Sequence, residues 1–140
     1  AEGAMHIAEA LKINKALTSL NLLNINIGVE GAQCIGEALK INQALTTLNL
    51  QENAIGAEGA QHIGEALKNN TVLTTLNLRD NKIGPEGAKS IGDALKISKA
   101  LTTLMCALGS PPSQVQMCSL SCHCLLCSGH ALPILELKGV

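Results

Sequence analysis

The chain has 140 residues, with 10 Lys plus Arg against 11 Asp plus Glu and a formal net charge of −1. It contains no Phe, Tyr or Trp, which excludes base stacking on aromatic platforms and cation–π cages, and its balanced charge gives no electrostatic footprint for nucleic acid. The length fits one domain with a substantial core, and with Arg79 the lone arginine the side chains that most often anchor interfaces are scarce, so binding by this segment is expected to be broad and modest.

Four copies of one unit follow each other at a constant step, starting at Gly3, Gly31, Gly59 and Gly87. Gly3–Glu30 is a loose copy, Gly31–Glu58 and Gly59–Glu86 are nearly identical, and the last runs from Gly87 to about Leu104 before it breaks off. A fixed period of this length predicts a solenoid whose units bury their apolar sides against their neighbours. Within a unit the period changes. In GAQCIGEALK (Gly31–Lys40), Ala32, Ile35, Gly36 and Leu39 fall on one stripe of a helix. In LTTLNL (Leu45–Leu50), Leu48 and Leu50 alternate with Thr47 and Asn49, which predicts a strand with one buried face. Gly56 and Gly84, the latter followed by Pro85, punctuate the passage from strand to the next helix.

One strand and one helix per unit predict an α/β architecture with a parallel sheet on one side and a helix row on the other. Helices need about 10 Å each and strands about 4.8 Å, so the stack curves with the sheet inside. Gly36, Gly64 and Gly92 recur in mid-helix, where glycine costs about 1 kcal/mol against alanine; on the apolar stripe they are expected to let helix and sheet approach closely. Glu9/Lys12, Glu37/Lys40, Glu65/Lys68 and Asp93/Lys96 stand at i, i+3 on the outer side and read as a solvated face.

The segments LTTLNLQENAIG (Leu45–Gly56) and LTTLNLRDNKIG (Leu73–Gly84) resemble the leucine-rich repeat pattern L-x-x-L-x-L-x-x-N-x-I-G. The length of the repeat and the E-G-A-x-x-I-G-E-A-L-K helix look like the ribonuclease-inhibitor subtype. Their wording is most similar to the repeats of NLR-type (NACHT, CARD-containing) intracellular immune sensors. The resemblance covers Gly3 to Leu104 and implies a curved horseshoe segment that binds proteins on its inner face. It also implies that Asn53 and Asn81 bond the backbone of adjacent turns in a ladder. The first copy, LTSLNLLNINIG, has Ile25 in place of that asparagine, so the ladder is expected to be interrupted there, with Asn24 or Asn26 as partial substitutes.

On the inner face one outward row comprises Ser19, Thr47, Thr75 and Thr103, and the next Asn21, Asn49, Asn77 and Met105. Uniform Thr and Asn are also simply good strand-face residues. Positions that vary between copies are the better marks of a partner, which singles out Gln51, Glu52, Arg79 and Asp80, with Asn49 and Asn77 beside them. Arg79 offers a planar fork suited to a carboxylate, unless Asp80 neutralises it.

Residues 1–108 are thus assigned to the repeat array and 109–140 to an irregular, Cys-rich tail. The tail is uncharged from Ala100 through Leu135 and holds Cys118, Cys122, Cys124 and Cys127 with His123 and His130. Those cysteines are weak zinc candidates: there is one C-x-x-C (Cys124–Cys127) and no second pair at a finger-like distance, so neither metal nor cofactor is expected. Val115–Leu135 has bilayer length, yet Gln116, three serines, two histidines and Pro133 interrupt it, so no membrane span is expected. The abrupt loss of the repeat in mid-strand reads as a splice or gene-structure boundary. His6, Cys34 and His62 occupy one repeat position on successive helices, about 10 Å apart, too far for a nucleophilic pair or a shared metal.

No catalytic constellation emerges. The sequence predicts a non-catalytic protein-interaction module, a fragment or truncated member of an NLR-like sensor or adaptor. The alternative is an enzyme regulator, inhibitor-like or GTPase-activating. The absence of a basic-then-apolar leader and of a spaced disulfide framework predicts a reducing, cytoplasmic location. Atypical ends of the array predict marginal stability or self-association through the uncapped repeat ends.

Overall fold

Each unit forms its elements where the period of its sequence places them. The computed structural model describes residues 2–106 and the backbone of 117–119. Helices α1 (Glu2–Ile13), α2 (Gly28–Ile41), α3 (Gly56–Asn69) and α4 (Gly84–Ile97) alternate with strands β1 (Ser19–Asn21), β2 (Thr47–Asn49), β3 (Thr75–Asn77) and β4 (Thr103–Met105). A further strand, β5 (Met117–Ser119), follows. The sheet order is β1-β2-β3-β4-β5, with β1 to β4 parallel and β5 antiparallel to β4. Every parallel register is an offset of one whole unit: Ser19 lies beside Thr47, Thr47 beside Thr75, and Thr75 beside Thr103. The result is an α/β solenoid with one sheet and one row of helices. Of residues 109–140, expected as an irregular tail, all but Met117–Ser119 lie outside the described residues.

The interior is a single cluster built from equivalent positions of successive units. Leu45, Leu48, Leu50 and Ile55 of the second unit are fully buried, as are Leu73, Leu76, Leu78 and Ile83 of the third. The helical stripe contributes Ala32, Ile35, Ala38 and Leu39 from α2 and Ala60, Ile63, Ala66 and Leu67 from α3. Burying one such aliphatic side chain is worth about 1.5–3 kcal/mol, so the apolar stripe supplies the main driving force for stacking. Cys106 takes the place held by Leu22, Leu50 and Leu78 and is buried like them.

The mid-helix glycines work differently from the expectation. A Cβ on Gly36 would meet the His62 backbone oxygen at 2.9 Å, and one on Gly64 the Ser90 oxygen at 3.0 Å. Both obstacles belong to the next helix, so these glycines set the spacing of helix on helix rather than of helix on sheet. The turns after each strand also follow from local stereochemistry. Gly56 enters α3 at φ +68°, and its N–H bonds the Asn81 carbonyl at 2.9 Å. Two residues before it Ala54 is also left-handed (φ 53°), a conformation that suits asparagine or glycine better than alanine.

Two asparagine systems tie the units together. Asn53 Oδ1 accepts from the Ile25 N–H (3.0 Å) and the Ile27 N–H (3.3 Å), while its Nδ2 donates to the Leu22 carbonyl (2.6 Å). Asn81 repeats this one unit on, accepting from Asn53 N–H (2.9 Å) and Ile55 N–H (3.4 Å) and donating to the Leu50 carbonyl (2.7 Å). The second system joins the helix C-termini. Asn42 Nδ2 donates to the carbonyls of Leu11 (2.7 Å) and Asn14 (2.9 Å), and Asn70 Nδ2 to those of Leu39 (2.7 Å) and Asn42 (3.2 Å). Their Oδ1 atoms accept from Leu45 and Leu73 N–H, both at 2.8 Å. Last-turn carbonyls are otherwise orphans, so each asparagine caps the helix of the unit before it.

Candidate functional site

The strand face opposite the core carries Ser19, Thr47, Thr75 and Thr103 in one row and Asn21, Asn49, Asn77 and Met105 in the next, in direct register. The two-residue period turns these side chains away from the buried leucines. Below them lies a third row. Thr46 Oγ1 donates to the Thr18 carbonyl (3.0 Å), Thr74 Oγ1 to the Thr46 carbonyl (3.1 Å) and Thr102 Oγ1 to the Thr74 carbonyl (3.2 Å). The first threonine of each LTTL is therefore committed to the sheet; the second is the one that faces outward.

The asparagine row is half committed. The Oδ1 atoms of Asn21, Asn49 and Asn77 accept from the N–H two residues ahead, at 3.1, 3.0 and 3.0 Å. These are side-chain turns that shape the exit from the strand. The amide of Asn77 then donates to Gln51 Oε1 at 3.1 Å. Gln51 in turn donates from Nε2 to Glu52 Oε1 (3.1 Å) and Asp80 Oδ2 (3.5 Å). Of the six candidates, four thus form one connected group: Asn77, Gln51, Glu52 and Asp80. Asn49 stays outside it, bonded only to its own turn.

Arg79 also stands apart. Asp80 does not neutralise it: the ion pairs among the described residues are Lys12–Glu9, Lys68–Glu65 and Lys96–Asp93, all on the helices. The Arg79 Nε is buried and has no hydrogen-bond partner. The guanidinium thus has no acidic partner among the described residues, on a side chain that is half-buried on this face. Glu52 and Asp80 are exposed at left-handed positions of the turn (φ 57° and 56°), which carries their side chains to the rim of the face.

The remaining sequence candidates are not drawn together. His6 in α1 is exposed, while Cys34 in α2 and His62 in α3 are half-buried. Among the described residues no group of three or more His, Cys, Asp or Glu assembles, and no helix is long and apolar enough to cross a membrane. The side chains of Cys118, Cys122, Cys124 and Cys127, and the bilayer-length segment 115–135, lie outside the described residues. Sequence reasoning missed the helix-capping asparagines Asn42 and Asn70. Their signal was present, since Asn14, Asn42 and Asn70 recur at the step of the repeat.

The leucine-rich repeat signature matches residues 42–64 and 69–92. Search of the curated proteins gives no match. Among solved structures, the chain is similar to the actin-binding site 2 of leiomodin-1, at 29% identity and a TM-score of 0.73, over 78% of this chain and 64% of that one. It therefore spans less than two thirds of the leiomodin chain. A second similar structure is the tropomodulin C-terminal domain of Caenorhabditis elegans, at 12% identity and a TM-score of 0.48, over 78% of this chain and 83% of that one. Fold and signature agree: the chain is an α/β leucine-rich repeat solenoid, the kind of scaffold on which proteins are bound.

Proposed function

We propose that the chain is a non-catalytic, cytoplasmic protein-binding module whose partner contacts the outward face of the sheet and the turns at its rim. The observation that carries this reading is the state of Arg79 beside the Asn77–Gln51–Glu52–Asp80 group: the carboxylates are held by an amide and the arginine is left without an acidic partner. Asn49, Gln51, Glu52, Asn77, Arg79 and Asp80 are the contact residues in this reading.

Actin is the first partner to try, because the similar leiomodin-1 structure is an actin-binding site. Binding of the whole chain to monomeric and filamentous actin, followed by sedimentation and by fluorescence anisotropy, tests it. The expected result is binding that Arg79→Glu weakens about tenfold or more, which corresponds to about 1.4 kcal/mol. Binding that survives Arg79→Glu and Gln51→Ala unchanged refutes the inner-face assignment, and absence of binding to either form of actin removes actin.

A second reading takes the chain as part of an NLR-like sensor or adaptor of the ribonuclease-inhibitor subtype. Its support is the wording of the repeats, above all GAQxIGEALK before LTTLNL. Capture of a protein partner other than actin, lost in the same Arg79 variant, supports it.

A further inference from the structure

The residue that ends α2, α3 and α4 adopts one backbone conformation in all three units. Asn42 lies at φ −70° and ψ 125°, Asn70 at −83° and 129°, and Ser98 at −64° and 127°. Their N–H groups bond the carbonyls of Ala38, Ala66 and Ala94 at 2.8, 2.9 and 2.8 Å. The seat is therefore the same each time, and only the side chain changes.

That change removes a whole set of bonds. Besides the two carbonyls of the preceding unit, Asn42 Oδ1 accepts from the N–H groups of Ala44 (2.9 Å) and Leu45 (2.8 Å). Asn70 does the same with Val72 (2.9 Å) and Leu73 (2.8 Å). At Ser98 the corresponding groups are the Leu67 and Asn70 carbonyls and the Ala100 and Leu101 N–H groups. Among the described residues the Ser98 hydroxyl bonds none of them. A hydroxyl on a single carbon is too short to span to the preceding unit, and it lacks the separate oxygen and NH₂ arms of an amide. Leu67, Asn70 and Leu101 are 1%, 4% and 4% exposed, so the polar groups left over lie where water compensates poorly.

We propose that Ser98 makes the joint between the third and fourth units a latch: α4 and β4 swing off the stack together and rejoin it while the first three units stay closed. Sub-global opening of this kind takes place where one cooperative block is tied less well than its neighbours. The cause is the side chain at 98, not the place of the unit in the stack, and substitution separates the two. Opening breaks the bonds from Thr102 and Thr103 N–H to the Thr74 carbonyl and from Leu78 N–H to the Met105 carbonyl. It also lifts Met105 from its place beside Asn77. The outward face thus has a long and a short form, and a partner that touches both strands holds the latch shut. The latch itself does not depend on that partner, and its test uses none.

Amide exchange on the whole 140-residue chain, followed by nuclear magnetic resonance, reads each joint through matched donors. Thr46 and Thr47 bond the Thr18 carbonyl, Thr74 and Thr75 that of Thr46, and Thr102 and Thr103 that of Thr74. In the parent Thr102 and Thr103 are expected to exchange about tenfold or more faster than Thr74 and Thr75. Ser98→Asn should slow Thr102 and Thr103 about tenfold and leave Thr46 and Thr47 unchanged. Ser98→Ala should change nothing, because the hydroxyl it removes is idle. Asn70→Ser should move the weak joint back by one unit and speed Thr74 and Thr75; if that variant does not fold, the two Ser98 variants decide alone. Equal exchange at Thr74 and Thr102 in the parent, or faster exchange in Ser98→Ala, overturns the inference. So does fast exchange at Thr102 that survives Ser98→Asn, since it assigns the opening to position in the stack.

Discussion

Replacing Asn81 by alanine isolates what one rung of the asparagine ladder is worth. Asn81 is fully buried and serves two units at once. Its Oδ1 accepts from Asn53 N–H at 2.9 Å and from Ile55 N–H at 3.4 Å. Its Nδ2 donates to the Leu50 carbonyl at 2.7 Å and the Arg79 carbonyl at 3.1 Å. Truncation leaves the buried Asn53 N–H without a partner, which costs about 1–3 kcal/mol. The Leu50 carbonyl is not orphaned, because Asn53 Nδ2 also reaches it at 3.0 Å; there only a net bond of about 0.5–1.5 kcal/mol is lost. The long Ile55 contact adds little. The sum is about 3 kcal/mol, a large fraction of the total that a domain of this size commands. Asn49→Ala is the control: its oxygen bonds the Gln51 N–H on a half-exposed face, where water substitutes readily, so about 0.5–1 kcal/mol is expected. Urea unfolding followed by far-ultraviolet circular dichroism gives both values, and amide exchange should accelerate at Asn53 first. If Asn81→Ala falls within about 1 kcal/mol of Asn49→Ala, the ladder is not a main support of the stack and the reasoning fails.

Gly36→Ala and Gly64→Ala should each destabilise by about 1–3 kcal/mol despite the gain in helix propensity, because the new methyl meets the backbone oxygens of His62 and Ser90. Gly3→Ala, with nothing within 4 Å of the added carbon, should be neutral or slightly stabilising; equal losses at all three sites would contradict the helix-spacing argument. Ala54→Asn should raise stability by about 0.5–1 kcal/mol by relieving a left-handed alanine, as measured by the urea midpoint; a loss would show that the turn tolerates no longer side chain. The pH response should be small. A hydrogen bond and charge from Lys68 hold the Glu65 carboxyl below its ordinary 4.5, and Lys96 does the same for Asp93 below 3.8. Their stabilisation is complete above those ordinary values and is lost as pH falls through the lowered ones. Lys12 runs the other way: the hydrogen bond to Glu9 raises it above 10.5, so its contribution is complete below 10.5 and is lost as pH rises through the raised value. All three pairs are exposed, so thermal melts should show only a slight acid loss that high salt removes; a steep, salt-independent loss would point to a group elsewhere.

The fold was legible because one signal appears several times over. A switch from a helical stripe to alternation, recurring once in every unit, leaves little freedom in element order or register. The strand rows Thr47/Thr75 and Asn49/Asn77 could be read for the same reason. Legibility ended where a side chain's role depends on a neighbour a whole unit away. Alternation set Thr47 on the outward row, but nothing in the local sequence announced that the Thr46 hydroxyl bonds the Thr18 carbonyl of the unit before. The mid-helix glycines announced a close approach but not its partner, since the His62 carbonyl that faces Gly36 belongs to the next unit. Arg79 and Asp80 are adjacent in sequence and look like a pair; the bond from Gln51 to Asp80, set by the stacking, leaves Arg79 without it.

The side-chain bonds between units recur one step on: Asn53 to Leu22 becomes Asn81 to Leu50, and Asn42 to Leu11 becomes Asn70 to Leu39. A tandem duplication of one whole block therefore hands every side chain an equivalent acceptor, while an insertion of a single residue in a strand or turn offsets all of them together. Such a gene can lengthen or shorten freely by complete blocks, and by almost nothing smaller.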